Sequence, residues 1–268
     1  MSLAQQSKRI VIKVGTSTIT HENGKPNIRR IDLLCRVISD LGNSGREIIF
    51  VTSGAIGMGV GKLGLPERPV TIPQRQACAA IGQCELMFLY DKFFSEYGRN
   101  TAQVLLTGDI IENDKQRANV VECINALLAM NIIPVVNEND TVAIDELAGH
   151  NIGDNDNLSA IVAQMTGAGS LILLTDIDGL YDTDPRSNDD AVRLPVVLSI
   201  DDSIRALAGG TGSTRGTGGM ITKLSAAERA CAAGIDTYIA SGENPACLYD
   251  IVEGKSAGTH FVAKRNKQ

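Results

Sequence analysis

Two short segments place glycine beside hydroxyl or amine side chains directly after an apolar, β-branched run: Lys13-Val14-Gly15-Thr16-Ser17 and Thr52-Ser53-Gly54-Ala55-Ile56-Gly57. Glycine in such a turn lets backbone N–H groups approach an anion that a Cβ would hold off. The carboxyl ends of strands are also where an open α/β sheet takes its ligands. One such segment alone reads as an ordinary strand-to-helix turn; two of them with a lysine at a strand end read as a phosphate cradle. A third segment, Gly209-Gly210-Thr211-Gly212-Ser213-Thr214-Arg215-Gly216-Thr217-Gly218-Gly219-Met220, runs through Ile221-Thr222-Lys223 into a helical pattern. A helix entrance offers free N–H groups and the positive end of the dipole, and with Lys223 it attracts polyphosphate.

Acidic and amide side chains collect at the same edge. Asn137-Glu138-Asn139-Asp140 closes one apolar run, and Gly153-Asp154-Asn155-Asp156-Asn157 opens a helix. Such short polar groups can bind an ammonium, position lysines or meet Mg²⁺ through water. Asp154 suits the cap of the following helix, but a cap uses one oxygen and this segment supplies several. Thr175-Asp176 ends another run, where contact with a ribose or base competes with a plain turn. Two familiar motifs drop out. No GxxxxGK[ST] loop occurs, and Gly59-Val60-Gly61-Lys62-Leu63-Gly64, although it spells GxGxxG, is displaced from its strand and runs into Leu65-Pro66.

The elements that must position these groups alternate along the chain. Apolar runs at 10–14, 48–52, 103–106, 132–136, 171–175 and 236–240 read as buried parallel strands, with a last one near 259–262. Between them Ile31, Leu34, Cys35, Ile38 and Leu41 keep a 3.6-residue stripe, as do Val120, Cys123, Ile124, Leu127 and Leu128. Pro73 suits the first turn of a helix reaching about Tyr97, and Ser225 to Ala233 forms another before Gly234. Repeated strand, helix, strand units predict an α/β protein with a doubly wound sheet. The polar stretch 184–190 is the expected join between two lobes.

Composition narrows the function. The 268 residues carry 25 Lys+Arg against 31 Asp+Glu, a net charge of -6, and aromatics are only 4% with no Trp. A nucleic-acid binder built on basic patches and stacking platforms is therefore not expected. The uncharged run from Asn157 to Thr175 contains Asn, Ser, Gln and a Thr166-Gly167-Ala168-Gly169 break, so it reads as helix then strand rather than a membrane span. The six cysteines show no CxxC pair, the three histidines lie far apart, and the N-terminus lacks a secretory apolar core. No metal-site spacing results, and the cysteines are expected as small buried hydrophobes in a reducing cytoplasm.

Seven segments in order resemble the amino acid kinase family over nearly the whole chain. They are Val11-Ile12-Lys13-Val14-Gly15-Thr16-Ser17, Val51-Thr52-Ser53-Gly54-Ala55-Ile56, Val136-Asn137-Glu138-Asn139-Asp140 and Gly153-Asp154-Asn155-Asp156-Asn157-Leu158-Ser159-Ala160. The remaining three are Leu173-Leu174-Thr175-Asp176, Gly179-Leu180-Tyr181 with Asp184-Pro185-Arg186, and Gly216-Thr217-Gly218-Gly219-Met220-Ile221-Thr222-Lys223. Within the family, the Asn-Glu-Asn-Asp and Gly-Asp-Asn-Asp-Asn segments resemble those that take L-glutamate rather than acetylglutamate, aspartate, carbamate or uridylate.

The resemblance implies a three-layer α/β/α sandwich with a mainly parallel central sheet, one kinase domain over 1–268. Its acceptor-binding lobe would span about 1–170 and its ATP-binding lobe about 171–268. It further implies transfer of the γ-phosphoryl of ATP, with Mg²⁺, to the side-chain carboxylate of L-glutamate, the first step of proline biosynthesis. Lys13 and Lys223 would act on the transferring phosphate and Asp156 would orient them. Ser53, Gly54, Asp140, Asp154 and Asn155 would hold the glutamate. Gly15, Thr175 and Asp176, together with Thr217, Gly218, Gly219, Met220, Ile221, Thr222 and Lys223, would meet the nucleotide, Mg²⁺ would be held largely by substrate oxygens and waters, and no residue is assigned as a metal ligand. Proline as feedback inhibitor, a homo-oligomer, a cytoplasmic location and the lack of the C-terminal PUA module that many relatives carry are further expectations. A carboxylate acceptor, with a reference pKa of about 4.3, needs no general base at neutral pH. The open alternatives are another acceptor in the same family and a non-catalytic sensor of nucleotide or amino acid; the two lysines and Asp156 weigh against the sensor.

Overall fold

Along β1 (Arg9–Val14) every residue after Arg9 is buried, because both faces of the strand are covered. Ile10, Ile12 and Val14 enter one apolar core and Val11 enters another, as the two-residue period of a strand requires. The protein, described by a computed structural model over residues 8–143, 155–208 and 219–264, is built around this strand. Seven further strands follow: β2 (Glu47–Val51), β3 (Thr101–Leu106), β4 (Ile133–Glu138), β5 (Ser170–Thr175), β6 (Val196–Val197), β7 (Asp236–Ser241) and β8 (Thr259–Phe261). They form one sheet in the order β3-β4-β2-β1-β5-β7-β8-β6. All neighbours pair in parallel except β7 and β8.

Helices cover both faces. They run in chain order α1 (Thr16–Ile19), α2 (Ile28–Asn43), α3 (Ala55–Leu63), α4 (Ile72–Glu96), α5 (Gly108–Glu112), α6 (Asp114–Ala129), α7 (Asn155–Met165), α8 (Asp202–Leu207), α9 (Met220–Ala232) and α10 (Cys247–Val252). Residues of α2, α3, α4 and α10 share the core of Ile10, Ile12 and Phe50, whereas α6, α7 and α9 share that of Val11, Val51 and Leu173. The result is the three-layer α/β/α sandwich. The expected runs became strands within a residue or two of their bounds. The turn-rich stretch at 184–190 lies beside a bridge between Tyr181 and Arg193, and one continuous sheet runs past it. β6 is a two-residue edge strand inside the short apolar run Leu194-Pro195-Val196-Val197-Leu198, which was not among the expected strands.

The sheet reverses its growth at β1, which has β2 on one side and β5 on the other. Loops leaving β1 and β5 consequently diverge to opposite sides and open a crevice at the carboxyl ends of the strands, the usual ligand position in such sheets.

The GxGxxG stretch lies inside α3 and its terminus. Gly64, at φ +63°, caps the helix in the left-handed region, and Gly59 serves packing: a Cβ there would stand 1.9 Å from the carbonyl oxygen of Cys78 on α4. Gly82 on α4 is the reciprocal contact, with a Cβ position 1.7 Å from the carbonyl of Ala55. These helices therefore touch backbone to backbone. Gly82→Ala is expected to destabilise the protein by about 3 kcal/mol, the upper range for overpacking, since backbone cannot step aside as a side chain does. An unchanged denaturant midpoint in that variant would refute the close approach.

The described cysteines are all free thiols. Cys35, Cys78 and Cys231 are buried as expected, but Cys84 and Cys123 are exposed, a correction to the uniform reading as core hydrophobes. They lie on the outward faces of α4 and α6. No helix among the described residues is long and apolar enough to cross a membrane.

Candidate active site

Lys13 points from β1 to the same side as Val11, toward α7 and α9. There Asp156, in the first turn of α7, is fully buried and takes both lysines: Nζ of Lys13 lies 2.5 Å from its Oδ1 and Nζ of Lys223 lies 3.1 Å from its Oδ2. Lys13 and Lys223 are themselves only 5% and 8% exposed. A third group joins, since the Thr222 hydroxyl is 3.0 Å from Oδ2 of Asp156 and 2.8 Å from the carbonyl of Gly219. Two ammonium groups on one carboxylate give these three side chains a net positive charge, and their burial means that an approaching phosphate would interact with them under little solvent screening.

Burial by itself would raise the Asp156 pKa, but Lys13 and Lys223 outweigh it and hold the carboxylate down to about 2, below its ordinary 3.8. A folded-state pKa below the unfolded one means that the stabilisation is complete above about pH 4 and fades as the pH falls toward 2. Comparison of unfolding midpoints for the wild type and Asp156→Asn at stepped pH is expected to show a gap that is constant from pH 7 to about 5 and narrows below pH 4. A gap that widened on acidification would contradict the ion-pair arrangement.

The turn after β2 lies beside this triad. Gly54 sits at φ +95° as the cap of α3, in the left-handed region that favours glycine. The side-chain amide of Asn155 reaches the turn, with Nδ2 2.6 Å from the carbonyl of Thr52, 3.0 Å from Oγ of Ser53 and 2.8 Å from Oδ1 of Asn137. Ser53, Gly54, Asn155, Lys13, Asp156 and Lys223 are thus gathered at one strand edge. Gly15 opens onto the same place: a Cβ there would meet only Nζ of Lys13 at 3.8 Å and the carbonyl of Leu174 at 4.0 Å. Its φ is −84°, so neither backbone strain nor a neighbour among the described residues demands glycine there.

At the end of β5, Thr175 donates to Asp176 at 2.9 Å, and Asp176 is bridged to Arg186 at 2.9 Å. Gly219 caps α9 and Met220 opens its first turn, with Ile221 63% exposed. Asp140 is half-buried after β4. Asp154, Thr217 and Gly218 lie outside the described residues. The contact of Thr222 with Asp156 and the amide partners of Asn155 were not anticipated. A threonine directly before Lys223 in the first helical turn was the only sequence hint of the former.

Crevice, triad and three-layer sandwich together belong to a phosphoryl-transfer fold, and residues 8–241 match the amino acid kinase family. The chain belongs to that family. It is 56% identical over 264 residues to the glutamate 5-kinase of Clostridium perfringens, a match covering 98% of each chain. It is 50% identical to the glutamate 5-kinase of Listeria innocua, over 98% of this chain and 96% of that one. Among solved structures, carbamate kinase from Giardia lamblia bound to AMP-PNP superposes with a TM-score of 0.65 at 17% identity, covering 97% of this chain and 100% of that one. The last is a likeness of fold.

Proposed function

We propose that this protein transfers the γ-phosphoryl group of ATP to the side-chain carboxylate of L-glutamate, giving γ-glutamyl phosphate and ADP, the first step of proline biosynthesis. The observation that carries the reading is the buried Lys13–Asp156–Lys223 arrangement at the strand-order reversal of a chain so similar to glutamate 5-kinases. The test is ADP release that depends on glutamate, with the acyl phosphate trapped by hydroxylamine. Turnover with aspartate, carbamate or uridylate in place of glutamate, or none despite ATP binding, would overturn it.

Catalysis on this reading is positioning and charge neutralisation. The acceptor carboxylate is already ionised, so its oxygen attacks without a base. Lys13 and Lys223 would neutralise charge on the transferring phosphoryl group, and the N–H groups of Gly15 and Gly54 would add fixed dipoles. Asp156 keeps the two lysines apart and in place. Ser53, Gly54, Asp140, Asp154 and Asn155 hold the glutamate from the lobe of about 1–170. Thr175, Asp176 and the stretch from Thr217 to Lys223 hold the nucleotide from about 171–268, a division supported by the position of β1 to β4 on one half of the sheet and β5 to β8 on the other.

ATP would be supplied as its Mg²⁺ complex. Among the described residues no group of three or more His, Cys, Asp or Glu side chains is placed to hold a cation, and both oxygens of Asp156 face lysines. Phosphate oxygens and water suit the octahedral demand of Mg²⁺. Feedback inhibition by proline, assembly as a homo-oligomer and a cytoplasmic site of action accompany the reading; proline in the same assay tests the first. Asp140→Ala is expected to raise the glutamate KM by roughly tenfold or more, the range for a lost hydrogen bond to a charged group, with the ATP KM unchanged. A change confined to ATP would remove Asp140 from the acceptor site.

A further inference from the structure

Four side-chain amides form a hydrogen-bonded chain leading away from Asn155. Its Nδ2 donates to Oδ1 of Asn137 at 2.8 Å, Nδ2 of Asn137 donates to Oε1 of Gln83 at 2.8 Å, and Nε2 of Gln83 donates to Oε1 of Gln103 at 3.0 Å. Backbone groups set the sense of the chain. The N–H of Glu138, which can only donate, is 2.9 Å from Oδ1 of Asn137, so that atom is the oxygen and the Asn137 nitrogen must face Gln83. The carbonyl of Thr52, which can only accept, is 2.6 Å from Nδ2 of Asn155, so the nitrogen of Asn155 faces the protein. Its oxygen is then turned away from every donor: Oδ1 of Asn155 is buried and has no hydrogen-bond partner among the described residues, and the residue is only 8% exposed. A buried acceptor without a protein donor is costly to leave unmatched, and a ligand N–H would satisfy it.

We propose that Gln83, acting through Asn137, is a positioning residue that holds the Asn155 amide with its oxygen presented to the acceptor, so that the site selects a dicarboxylate carrying an N–H donor on its α-carbon. The inference rests on the proposed glutamate chemistry. Gln83 is half-buried on α4 and does not touch the ion-paired lysines; its effect reaches the substrate through two intervening amides. Asn137, only 1% exposed, has few other ways to satisfy its nitrogen once Gln83 is gone, and a relaxed Asn137 no longer pins Asn155.

The test compares Gln83→Met, which keeps length but offers no amide oxygen, with Gln83→Glu, which still accepts from Asn137. Glutamate and MgATP are varied separately, and glutarate serves as the acceptor that lacks the α-amine. Gln83→Met is expected to raise the glutamate KM about fivefold and to lower the preference for glutamate over glutarate by a similar factor, the scale of one neutral hydrogen bond. Its kcat and ATP KM stay within about twofold, as expected for loss of ground-state binding, and Gln83→Glu stays near wild type in every constant. An unchanged glutamate KM or preference in Gln83→Met overturns the inference, as does an equal rise in the ATP KM or an equal defect in Gln83→Glu. Each of these would show Gln83 to be structural only. Failure of the wild type itself to turn over glutamate overturns the functional reading, and the selectivity with it.

Discussion

Exchange of Lys13 for methionine is expected to lower kcat by about 10²–10³-fold, the loss seen when one preorganised donor to a developing charge is removed, with the unfolding midpoint little changed. The asymmetry follows from the geometry. Methionine retains the apolar part of the lysine stem, and Asp156 keeps a partner in Lys223 at 3.1 Å and the hydroxyl of Thr222 at 3.0 Å. The fold therefore loses one ion pair of a satisfied set. The reaction loses far more, because the site falls from net positive to neutral where the phosphoryl charge must be held. The same exchange at Lys223 is expected to behave alike, and the double variant to be little worse than either single one, since the lysines act as a unit. Single-turnover measurement of ADP formation decides the matter; a kcat within a few-fold of wild type in either variant would remove both residues from the chemistry.

Asp156→Asn is expected to produce the largest loss of stability. It removes the carboxylate that, among the described residues, bridges two lysines only 5% and 8% exposed, and so weakens the compensation of two charges held largely out of water. Breaking a buried pair in this way costs about 3–5 kcal/mol, or a fall in Tm on the order of 10 °C for a chain of this size. Activity falls as well, because nothing then sets the spacing of the ammonium groups. Combining Asp156→Asn with Lys223→Met is expected to recover part of the stability, since one of the two repelling charges is gone, and to recover no activity. Calorimetry on the two variants would settle this. A double variant less stable than Asp156→Asn would show that the lysine stems, rather than their charges, hold the region together.

The central strands β1, β2 and β5 were legible because each is a nearly unbroken apolar run, as burial on both faces demands, whereas β3, read as a buried strand, is an edge strand with Gln103 exposed. Their order was not, because which strand lies beside β1 depends on crossovers that no local pattern encodes. The glycine clusters after β1 and β2 lie at the crevice, residues 209–218 of the third lie outside the described residues, and Gly54 owes its identity to a left-handed backbone. The glycine excess had a second origin that composition hid: Gly59 and Gly82 let two helix backbones touch, a demand visible only once α3 and α4 are packed. The triad was anticipated through family resemblance; spacing alone left the Asp-Asn-rich segment open between binding an ammonium, positioning lysines and meeting Mg²⁺. The amide chain was invisible because Gln83, Gln103, Asn137 and Asn155 come from four separate elements and each alone is an unremarked polar residue.

Lys13 stands on the first strand and Lys223 on a helix near the other end of the described chain, and Asp156 joins them from between. During synthesis the emerging polypeptide thus places one lysine long before its counterpart exists, and the carboxylate between them stays half-matched until α9 docks. Long-range closure of this kind comes late in folding because the loop entropy must be met first. On the proposed function, catalytic competence requires α9 to be docked, and loosening of α9 is expected to open the triad before the strands of the sheet separate. Turnover then becomes a more sensitive gauge of partial unfolding than any spectroscopic measure of secondary structure, and the two should part company on mild heating, with activity declining first.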